Sequence, residues 1–109
     1  MQLSDIGTAL AAVVPNTRRY SVIQKTDQYI VWAEDGEAGA QHADNKKIAQ
    51  VLSGTIDYFT QTPDDPKVGE IQATLNGLAL TWRLNSVQYE DETRYHHHEW
   101  VFEVEAWHA

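Results

Sequence analysis

A chain of 109 residues is long enough for one folded domain that removes roughly two thirds of its unfolded surface from water, and too short for two full cores. Sixteen acidic against eight basic side chains leave a formal charge of −8, which repels a phosphate backbone and argues against nucleic-acid recognition. Cysteine is absent, which removes disulfides and thiolate metal sites from consideration.

The first 15 residues carry Asp5 and lack the basic leading region of a secretory signal. No stretch approaches the ~20 apolar residues of a membrane span, so the expectation is a soluble chain made inside the cell, without membrane contact. With 42% hydrophobic and 22% charged residues it belongs with chains that fold. Four tryptophans and five tyrosines are generous for this length and favour association, because large amphipathic aromatics suit the buried centres of interfaces.

In chain order, Leu3, Ile6, Leu10 and Val13 recur at steps of three and four and predict an amphipathic helix that Pro15 stops. Residues 19–24 and 28–34, rich in Tyr, Val and Ile, read as strands joined by a hairpin turn at Lys25-Thr26-Asp27. The run Tyr29-Ile30-Val31-Trp32-Ala33 is apolar on both faces, as for a central strand or one whose second face another subunit covers. Residues 35–47 are polar and glycine-bearing without a period, and are expected to form the longest loop.

Thr55, Ile56, Tyr58, Phe59 and Thr60 favour a strand over residues 48–61, where Gly54 would weaken a helix. Asp65 and Pro66 then suit the cap and first position of a second helix. Its apolar stripe is Val68, Ile71, Leu75 and Leu78, and Asn76-Gly77 offers residues tolerant of a left-handed end. The chain closes with a hairpin: residues 80–88, an acidic turn around Glu90-Asp91-Glu92, and a strand over 95–106. In that strand His98, Trp100, Phe102 and Val104 fall on one face and His97, Glu99, Glu103 and Glu105 on the other. The fold class predicted is α+β, order α-β-β-β-α-β-β, with a mainly antiparallel twisted sheet of about five strands and both helices on one face.

Chemistry-bearing residues are few. His42, Asp44, His96, His97 and His98 are of the types that bind divalent ions. Neighbouring residues on a strand point to opposite faces, so only His96 and His98 could share an ion. A structural or interface role for the histidines outweighs that reading, and such a cluster would gain charge near pH 6.5. The carboxylate groups at Glu34-Asp35, Asp64-Asp65 and Glu90-Asp91-Glu92 fall where solvated turns and helix caps are expected, rather than forming a glycosidase pair. No nucleophile elbow or phosphate loop is present. Aromatic side chains on an open sheet could stack bases, but the basic groove is missing. The expectation is no enzyme, no cofactor and no metal.

Tyr29-Ile30-Val31-Trp32, the segment ending in His42-Ala43-Asp44-Asn45, the run Gly54-Thr55-Ile56-Asp57-Tyr58-Phe59-Thr60 and the closing hairpin together resemble the tail terminator, or tail completion, proteins of long-tailed bacteriophages and their prophage relatives. The likeness extends over residues 20–104 and includes the order of elements. It implies that residues 1–109 form one tail-terminator-like domain. In that family a small α+β subunit forms a homo-oligomeric ring, typically a hexamer, which caps the finished tail tube and presents the surface that docks to the head connector. The implied partners are sister copies, the tail tube protein and the head–tail connector protein. The implied location is the virion tail, after assembly in the bacterial cytoplasm. DNA would pass through without specific binding, and an acidic ring favours passage over sticking. A loop such as 35–47 could order on meeting the tube.

Partner contact is expected at Asp35, Glu37, His42, Asp44 and Trp107. The glycine-bearing segment and His96, His97 and His98 map to no role that the resemblance implies. Two alternatives stay open: another head–tail connector or tail-tube-like subunit, and a metal-dependent enzyme built around His42, His96 and His98.

Overall fold

The computed structural model describes residues 1–22, 24–43 and 46–105; for residues 39–43 and 46–49 the description is of the backbone alone. The elements are α1 (Ser4–Ala11), β1 (Thr17–Arg19), β2 (Gln28–Ala43), β3 (Lys46–Thr60), α2 (Lys67–Asn76), β4 (Thr81–Glu90) and β5 (Tyr95–Glu105). The strands form one sheet in the order β1-β2-β3-β5-β4. The α+β order read from the sequence is the order found.

The sheet is mixed rather than wholly antiparallel. β1 runs parallel to β2, pairing Thr17 with Ile30 and Arg19 with Trp32. A parallel pair cannot be closed by a tight turn, so the hairpin expected at Lys25-Thr26-Asp27 does not exist. β1 ends at Tyr20, whose φ of 77° takes the backbone out of the extended region and would strain a bulky residue without support. Its N–H donates to Trp32 O at 2.8 Å and its hydroxyl to Glu34 Oε2 at 3.1 Å. Asn16 Nδ2 then pins the returning segment by donating to Gln24 O and Thr26 Oγ1, both at 2.9 Å.

The second departure is larger. The expected loop over 35–47 is a continuation of both flanking strands, with pairs from Gly36↔Ser53 through Ala43↔Lys46. Among the described residues β5 pairs with β3 as far as Val51↔Glu105, and β1 leaves β2 after Trp32. A two-stranded arm therefore projects from the sheet. Register shifts at Glu34/Gly36, Glu37/Gly39 and Gln41/His42 are bulges of the kind that bend and twist a ribbon. At about 3.3 Å per residue, the 16 residues of β2 account for the elongated shape, 53 × 25 × 24 Å.

The core lies between the sheet and both helices. α1 contributes Ile6 and Leu10, flanked by Leu3 and Val14; α2 contributes Ile71 and Leu75; the sheet answers with Ile30, Trp32, Ile56, Tyr58, Trp100, Phe102 and Val104. The helical stripes predicted from spacing are these residues, with Val14 buried where Val13 was expected and Val13, Val68 and Leu78 packed at the margin. Gly7 explains how α1 comes so close: a Cβ there would lie 2.9 Å from the Trp32 Nε1, so only glycine lets the helix backbone rest on the indole.

α2 begins as read, with Asp65 Oδ1 accepting the Lys67 N–H at 2.9 Å and Pro66 already helical at φ −62°. Its end differs: Gly77 is right-handed, at φ −84°, so the left-handed cap is not used. Lys67 Nζ donates to Val13 O at 2.7 Å, fastening the start of α2 to the carbonyl end of α1, where a cation is favoured. The closing hairpin is as read. Arg94, at φ 63°, donates its N–H to Glu90 O at 2.7 Å and shuts the turn.

Candidate interaction surface

Directly opposed residues of an antiparallel pair share a face, and the register assigns every side chain of β5. His96, His98, Trp100, Phe102 and Val104 face the helices; Tyr95, His97, Glu99, Val101, Glu103 and Glu105 face away. The alternation read from the sequence is correct, but it sends the three histidines to different environments.

His96 leans on Tyr89 with ring centroids 4.7 Å apart, and His98 lies between Tyr58 at 6.4 Å and Trp100 at 6.0 Å. These are aromatic packing positions. Burial, reinforced by the neighbouring His96 and His97, pushes the His98 imidazole below its ordinary pKa. Its Nδ1 is buried without a hydrogen-bond partner among the described residues.

His97 is placed otherwise. Its ring stacks on Phe59 at 4.2 Å with 16° between planes, and Phe59 stacks in turn on Tyr29 at 4.7 Å. Tyr95 meets Tyr29 and Phe59 edge-on at 5.5 and 6.0 Å. Its hydroxyl donates to Thr26 O at 2.6 Å, which holds the segment after β1 over this face. Tyr29 is only 3% exposed, packed against Phe59 and Tyr95, so the second apolar face of β2 is filled in part from within. Between that segment and the sheet lies a cavity of about 440 Å³, lined by Val22, Lys25, Tyr29, Asp57, Glu90 and His97 among others. His97 Nε2 is 2.7 Å from Asp57 Oδ1, and this hydrogen bond raises its pKa against the opposing effect of burial.

The two histidines therefore shift in opposite directions. In metal-free buffer, NMR titration should place the His97 midpoint above about 6.5 and the His98 midpoint below it, and Asp57→Asn should bring His97 back down. A raised folded pKa gives stability that is present below about pH 6.5 and lost as pH rises through that pKa. His98 has the opposite sign: acidification below about pH 6.5 removes stability until the folded group also titrates. A His98 midpoint above that of His97 would contradict the assignment of faces.

Of the residues expected at a partner interface, Asp35, Glu37 and His42 belong to β2. Asp35, at the root of the arm, is exposed and accepts from Ser53 Oγ at 3.3 Å. It also borders a second cavity of about 380 Å³ with Thr81, Trp82, Arg83 and Val101. Glu37 is exposed and accepts from Gln50 Nε2 at 2.7 Å. His42 stands opposite Lys47 near the tip; its side chain, like Asp44 and Trp107, lies outside the described residues.

Sequence reasoning missed β4 as a surface element. It is an edge of the sheet, and Leu84, Val87 and Tyr89 along it are 43%, 55% and 53% exposed. An unpaired edge carrying apolar side chains is a template for another chain. At the opposite margin β2 beyond Trp32 has no outer partner among the described residues. Asp57 was also overlooked; a period of two carried across to β3 would have put it on the outward face, but only the register between β3 and β5 brings it to His97.

No family model matches the chain, and no curated protein matches it. Among solved structures, a chain of the virion of a native gene transfer agent particle is similar, with a TM-score of 0.59 and 14% identity over 88% of this chain and 82% of that one. At that identity the likeness is one of fold. It nevertheless takes in most of both chains.

Proposed function

We propose that this chain is a structural subunit of a phage-type virion and, more finely, a tail terminator that assembles into a ring, caps the tail tube and forms the joining surface for the head connector. The observation that carries the reading is the fold shared, over 88% of the chain, with a component of a gene transfer agent virion. Three features support it. Among the described residues two sheet margins are open, one of them apolar, and these suit side-by-side contact between copies. The projecting arm presents Asp35 and Glu37 where a neighbouring subunit or tube could meet them. The charge of −8 favours passage of a polyanion over adhesion. The reading assigns the chain no catalytic step and no cofactor, a place in the virion tail, and assembly in the bacterial cytoplasm.

The test is electron microscopy of purified tail tubes mixed with the protein, beside native mass spectrometry. Rings, with a hexamer expected, and density at tube ends are the supporting result. A monomer at high concentration that leaves tube ends bare would end the assignment, and binding to the head connector alone would move it to a connector subunit. Reversing charge with Asp35→Lys and Glu37→Lys should lower tube-end occupancy at least about tenfold while leaving stability within about 0.5 kcal/mol, as for exposed positions.

A further inference from the structure

Asp57 of β3 stands directly opposite Glu99 of β5, a cross-strand position in which like charges repel. His97, on the same face, brings Nε2 to 2.7 Å from Asp57 Oδ1. One ligand atom from each of the three lies within 4.8 Å of the other two. Among the described residues the ion pairs are Arg19–Glu34 and His97–Asp57, so no lysine or arginine there comes within ion-pair distance of the two carboxylates. We propose that Asp57, His97 and Glu99 form a divalent-cation site of the zinc class, which fastens β3 to β5 on the sheet face away from the helices.

The donor set, one imidazole nitrogen and two carboxylate oxygens, is one that zinc accepts, leaving an open position for water. Ligand atoms about 2.1 Å from a tetrahedral ion lie roughly 3.4 Å from one another, so side-chain rotation alone would close the site. Two of the three ligands are already held. Stacking on Phe59 fixes the plane of the His97 ring. Asn85 Nδ2 donates to Glu99 Oε1 at 2.7 Å, leaving the other oxygen free of that bond. Asn85 occupies the register shift between Leu84 and Ser86, so the irregularity in β4 places an outer support of the kind that orients metal ligands. The adjoining cavity gives water and ion a way in. Glu90 and Lys25 also line it, and with Asp57 and Glu99 counted, acidic groups still outnumber basic ones there. His96 and His98 are not available to this ion, since they face the helices.

Isothermal titration of the full chain with zinc chloride near pH 7.5 tests the site. The chain holds five histidines, so variants must locate the binding. His97→Gln and Glu99→Gln should each lose one equivalent of zinc, or weaken it at least tenfold, and Asn85→Ala should weaken it about tenfold. His96→Gln should bind as the parent does. Glu99→Gln keeps the shape of the side chain, and an unchanged circular dichroism spectrum separates lost ligation from lost folding. On the parent alone, one equivalent of cobalt(II) should broaden the amide signals of residues 57, 97 and 99 before others. Absence of saturable binding, parent-like binding by His97→Gln and Glu99→Gln, or broadening centred on residues 96 and 98 would each overturn the proposal.

Discussion

Gly54→Ala is expected to destabilise the protein by about 3 kcal/mol, the upper part of the usual range for overpacking, which for a chain of this size lowers the melting temperature by about 10–20 °C. A Cβ at this position would lie 2.2 Å from Ala33 O and 2.5 Å from the Phe102 Cζ. The ring could swing aside, but the carbonyl is part of β2 and moves only if the strands part. Gly54 pairs with Glu34 on one side and Phe102 on the other, so the damage would fall at the middle of the sheet, next to the first bulge of the arm. Phe102→Leu should therefore rescue little. Gly36→Ala is the control, because nothing lies within 4 Å of its added Cβ. There the smaller entropy of the unfolded chain should leave stability unchanged or raised by up to about 1 kcal/mol. Urea denaturation of the two variants beside the parent gives the comparison, and equal stabilities would contradict the close approach at Gly54.

That glycine marks where the sequence was legible and where it was not. Residues 48–61 are readable as a strand despite Gly54 because β-branched and aromatic side chains dominate their second half. The helices and the closing hairpin are likewise legible from apolar spacing, since Ile6, Leu10, Ile71, Leu75, Trp100 and Phe102 are all buried and burial is what imposes a period. The arm is not legible in this way. Gly36, Ala38, Gly39 and Ala40 belong to β2 but have little intrinsic preference for a strand. Their extended form comes from backbone pairing with β3, which side-chain pattern does not record. The parallel pairing and the bounds of β1 were not legible for a related reason: three residues carry no period, and the left-handed Tyr20 that follows the strand is not a residue type that advertises a turn.

The candidate surface divides along the same line. Period-two alternation separated His97 from His96 and His98 correctly, because it follows from strand geometry alone. Which neighbours each ring would meet depended on the register between β3 and β5, and this brought Asp57 and Phe59 to His97. Asp35 and Glu37, chosen from a segment read as a loop, are exposed on a paired ribbon. Leu84, Val87 and Tyr89 looked like ordinary strand residues. Their exposure arises because β4 is an edge, and the place of a strand in a sheet is a property of topology.

Removing the Asp65 carboxylate should have the largest single effect on stability, about 3–5 kcal/mol for Asp65→Ala. Asp65 is buried, at 6% exposure, and accepts from four donors: Tyr58 Oη at 2.5 Å, Thr60 Oγ1 at 2.7 Å, Gln28 Nε2 at 3.0 Å and the Lys67 N–H at 2.9 Å. The side chain thus joins β2, β3 and the start of α2 at one point. Alanine would leave the Tyr58 and Thr60 hydroxyls, both in residues with no exposed surface, without their acceptor, and an orphaned buried donor costs more than the bond it once made. Burial raises the pKa of Asp65, but hydrogen bonds from Tyr58, the Lys67 N–H, Thr60 and Gln28 outweigh it, and the net shift is downward. Burial and the same carboxylate push the Tyr58 phenol up, so its proton stays in place as a donor. With a folded pKa below the ordinary value of about 3.9, Asp65 contributes stability that is complete above that value and disappears as pH falls through the folded pKa. Asp65→Asn keeps the shape but places an amide NH₂ against a ring of donors. It should lose about 2–3 kcal/mol near neutral pH and narrow its deficit in acid, because the parent loses the contribution that the variant never had. Urea denaturation between about pH 7 and pH 3 measures both quantities, and a deficit that stays constant across that interval would show that the carboxylate's charge does not hold these three elements together.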